Sequence, residues 1–178
     1  MTENVSYIAL TDQAPVFNTE VVGALERIRS RAGAGQSLDE VMNTVWDSTI
    51  SILPHDRIGL SFIENDGQWV SAHYFRTAYD VSTVRLGKDF SAGLANSTLK
   101  DIIDRGCARI ISNLPHYLEQ NPHSVSTKLV VQEGISSNLT LPLKVDDREV
   151  GFLFFSNLLF SFSSALCSSF FTVLFRRS

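Results

Sequence analysis

A chain of 178 residues with 44% apolar and 19% charged residues is sized and composed for one globular domain, which excludes wholesale disorder, collagen-like repeats and disulfide scaffolds. With 15 Lys plus Arg against 19 Asp plus Glu the net charge is −4, and no basic cluster is long enough to neutralise a run of phosphates, so nucleic acid is excluded as a first partner. The two cysteines, Cys107 and Cys167, lie far apart, and residues 1–10 lack the basic and apolar regions of an export signal; free thiols and a cytoplasmic location are expected.

Residues 1–15 are polar, end at Pro15 and read as a flexible N-terminal arm. Phe17, Val21, Leu25 and Ile28 then recur at helical spacing, with Arg27, Arg29 and Arg31 where positive charge suits a helix C-terminus, and Gly33-Ala34-Gly35 stops the helix. Ser37-Leu38-Asp39-Glu40 has the form of a capping box ahead of Val41, Val45, Thr49 and Ile52, and Pro54 ends this second helix. From Arg57 the period becomes two: Ile58, Leu60 and Phe62 alternate with Arg57, Gly59 and Ser61. Asn65-Asp66-Gly67 turns the chain into a second alternating run over 68–76, a hairpin. A third strand is expected around 82–86. Leu94, Thr98, Ile102 and Ile103 then mark a helix closed by Gly106, followed by a short strand over 109–112. Residues 113–125, with two prolines, read as a loop containing one helical turn. In the last hairpin Leu139, Leu141, Leu143 and Val145 point one way and Asn138, Thr140, Pro142 and Lys144 the other, before Asp146-Asp147 turns the chain into 150–155. A strand proline belongs at an edge or bulge. Hairpins imply antiparallel pairing, so the fold class is α+β.

Four stretches together resemble a GAF domain, a small-molecule sensing module of bacterial signalling proteins. They are residues 37–53 leading into Asp56-Arg57-Ile58, residues 86–93, residues 104–114, and residues 134–143 running on to Val150-Gly151-Phe152-Leu153. The resemblance implies a central antiparallel sheet with terminal helices on one face and a helix and loop roof over a pocket on the other. It divides the chain into the arm at 1–15, a GAF-like domain at 16–156 and an atypical apolar tail at 157–178.

The same resemblance tests cofactors position by position. Bilin-binding relatives attach chromophore through a cysteine before the fifth strand, where this chain reads His123-Ser124-Val125-Ser126-Thr127; covalent bilin is excluded there. The ordered signature of cyclic-nucleotide binders is absent, and haem has no support. The histidines His73, His116 and His123 lack ligand spacing with a third partner, so no metal site is expected. No motif singles out a nucleophile, base and orienting acid, so no catalytic residue is assigned and the chain reads as a non-enzyme.

Ser61, Asn138 and Thr140 are the polar members of strands whose other face is strongly apolar, and relatives use such positions to contact ligands. They are therefore candidate ligand-binding residues, because a pocket needs a few placed polar groups among apolar walls. Phe75, Phe90, Leu94 and Tyr117 are candidates for its walls and roof, and Asn113 either joins them or caps a turn. The function read from this pattern is a stand-alone sensor that binds an unknown small molecule non-covalently and signals through its terminal helices, to a second copy of itself or to a separate signalling protein. Two alternatives are an enzyme like the free methionine sulfoxide reductases of this fold, using Cys107, and a ligand-free interaction module.

The tail departs from the family. No charged residue occurs from Val150 to Phe175, and 8 of the 12 phenylalanines fall between Phe152 and Phe175. Residues 157–175 approach the length of a bilayer-crossing helix, but Ser, Thr and Asn interrupt them. A packing helix with Leu159, Phe162, Leu166, Phe170 and Val173 on one stripe is favoured over a membrane anchor or an altered reading frame.

Overall fold

The computed structural model describes residues 4–10, 37–145, 148–163 and 166–168. In chain order the elements are β1 (Val5–Ala9), α1 (Leu38–Thr49), β2 (Arg57–Glu64), β3 (Trp69–Thr77), β4 (Ser91–Gly93), α2 (Leu99–Arg105), β5 (Cys107–Ile111), α3 (Leu114–Gln120), α4 (Val125–Gln132), β6 (Ser137–Val145) and β7 (Arg148–Asn157). The strands form one antiparallel sheet in the order β1-β5-β6-β7-β2-β3-β4.

Local signals place the main elements. The capping box forms as the sequence implies: the Glu40 amide donates to Ser37 Oγ at 3.2 Å and the Ser37 amide to the Glu40 carboxylate at 2.8 Å. Helix α1 then buries Val41, Met42, Val45 and Trp46 on the sheet face made by Ile58, Leu60, Leu139, Leu141, Leu153 and Phe155. Each fully buried side chain of this size contributes about 1.5–3 kcal/mol, which is why this face is the main core. The first hairpin turns through Asn65 and Asp66, both left-handed, and Gly67. Pro142 lies where its missing N–H does no harm: β5 pairs with β6 only from Asn138 to Thr140, so beyond Thr140 the outer side of β6 is an edge, and the ladder with β7 shifts register between Leu143 and Lys144.

Several elements differ from the sequence reading. Val5–Ala9, expected within a loose arm, add an edge strand along β5 with Tyr7 opposite Arg109. No strand forms over 82–86. Asp80 accepts from the Ser82 amide at 2.9 Å and starts a 3₁₀ turn at Val81–Thr83, and the strand beside β3 is β4 instead. The loop expected over 113–125 contains the helix α3, because Asn113 Oδ1 caps the His116 amide at 3.0 Å and Pro115 falls in the first turn, where no donor is needed, and α4 begins at its last residue. The helix expected over 17–28 and the turn at Asp146-Asp147 lie outside the described residues.

The tail is used by the fold as far as it is described. Phe162 and Cys167 are fully buried in the α1 core, while Leu159 is 86% exposed, so Leu159 and Phe162 do not share one packed stripe. Ser112 Oγ donates to the Phe162 carbonyl at 3.2 Å and Ser161 Oγ to the Ser112 carbonyl at 2.8 Å, pinning this segment across the end of β5. Phe170 and Val173 lie outside the described residues. Among the described residues no helix is long and apolar enough to cross a membrane.

Candidate functional site

Strand alternation sends Ser61 and Gly59 of β2, Phe154 and Ser156 of β7, and Asn138 and Thr140 of β6 away from α1. On this opposite face the sheet does not pack solid. A cavity of about 120 Å³ lies between these residues and a roof made by Leu86, Gly87 and Phe90 of the β3–β4 connection, the start of α2, and Thr127 and Val130 of α4. An apolar cavity of about 150 Å³ admits benzene, so this space suits a ligand of roughly six heavy atoms.

The roof is tied down by one buried carboxylate. Glu133, just past α4, accepts from Arg57 Nη1, from the Tyr79 hydroxyl at 2.8 Å, and from the amides of Arg85 and Leu86 at 2.8 and 2.7 Å. Arg57 completes the clasp by donating from Nη2 to the Leu86 carbonyl at 2.6 Å, and its guanidinium lies over the Phe75 ring at 5.4 Å. Burial opposes the Glu133 charge, but the Leu86 amide, the Arg57 guanidinium and the Arg85 amide outweigh it and lower the carboxyl pKa below its usual value. Burial, and then donation to Glu133, push the Tyr79 hydroxyl up to about 12. Glu133 and Arg57 thus hold Tyr79, Arg85 and Leu86 of the β3–β4 connection against β2, and the Arg57 charge is cancelled locally.

Arg109 is the second arginine of the cavity wall and its circumstances are opposite. It is 6% exposed, and among the described residues no carboxylate forms an ion pair with it. Its Nη1 donates to the Thr98 carbonyl at 3.0 Å and the Thr98 hydroxyl at 2.9 Å, and its guanidinium lies 5.9 Å from the Tyr117 ring centroid. The buried Nε–H has no hydrogen-bond partner. Burial lowers its pKa, against the opposing pull of Tyr117, Tyr7 and Asp101.

Beside Arg109 runs a polar chain. Thr140, the cross-strand neighbour of Arg109, donates to Asn138 Oδ1 at 2.7 Å, and Asn138 Nδ2 donates to Ser156 Oγ at 2.9 Å and the Phe155 carbonyl at 3.2 Å. On the roof, Thr127 Oγ1 and Ser124 Oγ share a hydrogen bond at 2.7 Å.

Of the residues singled out in the sequence, Ser61, Phe75, Phe90, Asn138 and Thr140 come together on the cavity. Leu94, Asn113 and Tyr117 lie outside its lining. Leu94 is buried with Val70, Ile102 and Phe152 under α2; Asn113 is the cap of α3; Tyr117 packs with Ile111, Leu114 and Ile135. Sequence reasoning passed over Arg57, Arg109, Thr127 and Glu133. The two arginines carried a signal: each sits in a strand at the parity that faces away from the apolar positions, in a sheet with helices on both sides. Glu133 carried none, because its partner Arg57 is 76 residues away.

Cys107 opens β5 at the β1 edge, donates from Sγ to the Arg105 carbonyl at 3.2 Å, and does not line the cavity. Burial pushes the Cys167 thiol up to about 12. His73 bonds Glu64 at 2.7 Å and His116 bonds Glu119 at 3.1 Å. Among the described residues no three His, Cys, Asp or Glu side chains gather in a way that could hold a metal ion.

No family model matches the chain, and no curated protein matches it. Solved structures do. The GAF domain of a two-component sensor histidine kinase from Bacillus halodurans superposes with a TM-score of 0.60 at 15% identity, covering 79% of this chain and 90% of that one. A GAF domain/HD domain protein from Geobacter sulfurreducens gives 0.56 at 14% identity, covering 80% and 90%. The phycocyanobilin-bound GAF domain of a cyanobacterial phytochrome gives 0.55 at 12% identity, covering 86% and 89%. With its seven-stranded antiparallel sheet, helix α1 on one face and a roofed cavity on the other, this chain has the GAF-domain fold.

Proposed function

We propose that this chain is a sensor or regulatory domain that binds a small molecule non-covalently between sheet and roof and passes its occupancy to a second protein or a second copy of itself. The observation that carries it is the unfilled space over Ser61, Asn138 and Thr140, on the face where a purely structural domain would place packed side chains. Two solved structures of this fold belong to a sensor histidine kinase and a phytochrome, which favours a signalling role. Binding acts by population shift: a ligand that contacts Phe90 and Thr127 favours the closed roof by as much as its affinity differs between closed and open states.

The reductase alternative needs a thiol at the cavity, and Cys107 lies elsewhere. The discriminating experiment is hydrogen exchange of the full chain with and without each compound that raises its melting temperature in a metabolite screen. The expected result is slowed exchange at residues 85–90 and 126–130. Protection confined to the α1 face, or a screen in which no compound stabilises the protein, would overturn the proposal and leave the ligand-free module.

A further inference from the structure

We infer that the ligand of this cavity is a short-chain carboxylate whose charged group is held by Arg109; this rests on reading the cavity as a ligand site. The cavity wall carries two arginines and no acidic residue. Arg57 is neutralised by Glu133, whereas Arg109 has no ion-pair partner among the described residues and one N–H with no acceptor. An unpaired buried cation is among the costliest features a core can contain, and a carboxylate accepting from the guanidinium fork removes that cost.

Tyr7 and Asp101 also act on the Arg109 guanidinium, but among the described residues Asp101 forms no ion pair with it and nothing accepts from its Nε–H. Thr98 already accepts from Nη1 through both its oxygens, and the Asn138 oxygen is taken by Thr140. Val70, Phe90, Val130 and Phe154 give the rest of the lining an apolar surface, broken by the uncharged polar side chains of Ser61 and Thr127. One charged group at one wall and a short apolar body fill about 120 Å³, the size of a four-carbon acid.

The test is calorimetric and thermal-shift titration of the full chain with butyrate, butyramide, butanol and nitrate. Butyrate is expected to bind about tenfold or more tightly than its neutral isostere butyramide, because a hydrogen bond to a charged partner is roughly twice as strong as a neutral one. Nitrate, planar and anionic but without an apolar body, is expected to bind more weakly than butyrate. In Arg109→Met the preference for butyrate over butyramide falls to within about twofold, and in Arg109→Lys it is partly kept. Equal or tighter binding of butyramide or butanol by the unaltered chain would overturn the inference while leaving the ligand site standing. Tighter binding of nitrate than of butyrate would overturn the short-chain assignment. Failure of every probe, charged and neutral, would overturn the inference and count against the ligand site itself. The unaltered chain decides these outcomes whether or not the variants fold.

Discussion

Removing the Glu133 carboxylate should cost the protein more than removing the Arg57 guanidinium, although the two are partners in one ion pair. Glu133→Leu leaves the Arg57 charge buried with only the Leu86 carbonyl to accept from it, and strands the Tyr79 hydroxyl and the amides of Arg85 and Leu86. Arg57→Met leaves the carboxylate with its other three donors. Breaking a buried pair from one side costs about 3–5 kcal/mol, and each stranded buried donor about 1–3 kcal/mol unless water reaches it. The Arg85–Leu86 connection can open to water, so we expect about 3–5 kcal/mol for Glu133→Leu, or roughly 6–20 °C in Tm for a chain of this size. For Arg57→Met we expect about 1–3 kcal/mol less than that. Urea unfolding followed by tryptophan fluorescence reads both, and proteolysis at residues 84–88 reports the loosened roof. Equal destabilisation by the two variants, or a greater loss with Arg57→Met, would refute the account of Glu133 as the hub.

Four groups shape the pH profile of stability. His55 is buried between the Trp46 and Phe155 rings, where burial holds its pKa below 6.5; its unfolded form takes up a proton that the folded form resists. Stability from this group is complete above pH 6.5 and is lost as pH falls through the folded value; His55→Phe removes that loss. Glu133, also lowered, adds a second loss below its ordinary 4.5, and Tyr79, raised from 10.0 to about 12, makes stability fall as pH rises between those values, as does the Cys167 thiol, raised from 9.0 to about 12. Urea midpoints across pH 2–12 check all four, with Cys167→Ala separating the thiol from Tyr79. Gly151→Ala should cost about 1–3 kcal/mol, toward the upper end, because a Cβ there would stand 2.2 Å from the backbone oxygen of Ser61, which cannot swing aside as a side-chain tip would; a ΔΔG below about 0.5 kcal/mol in the same urea assay would show that β2 and β7 separate freely.

Features settled within a few residues of chain were legible without the fold. Ser37 and Glu40 start α1, the alternation around Ile58-Leu60-Phe62 and Leu139-Leu141-Leu143 makes half-buried strands, and Ser61, Asn138 and Thr140 share a face because strand side chains alternate. These follow from capping chemistry and a period of two, which need no knowledge of partners. Tertiary structure alone decided the rest: that Val5–Ala9 close the sheet on β5, that Leu94, Asn113 and Tyr117 lie outside the cavity lining while Arg57 and Arg109 belong to it, and that Glu133 cancels one arginine and leaves the other. Whether a buried charge is neutralised depends on which distant group the fold brings within hydrogen-bond reach. Local periodicity carries no record of that, so the electrostatic character of the site appears only when the strands are assembled.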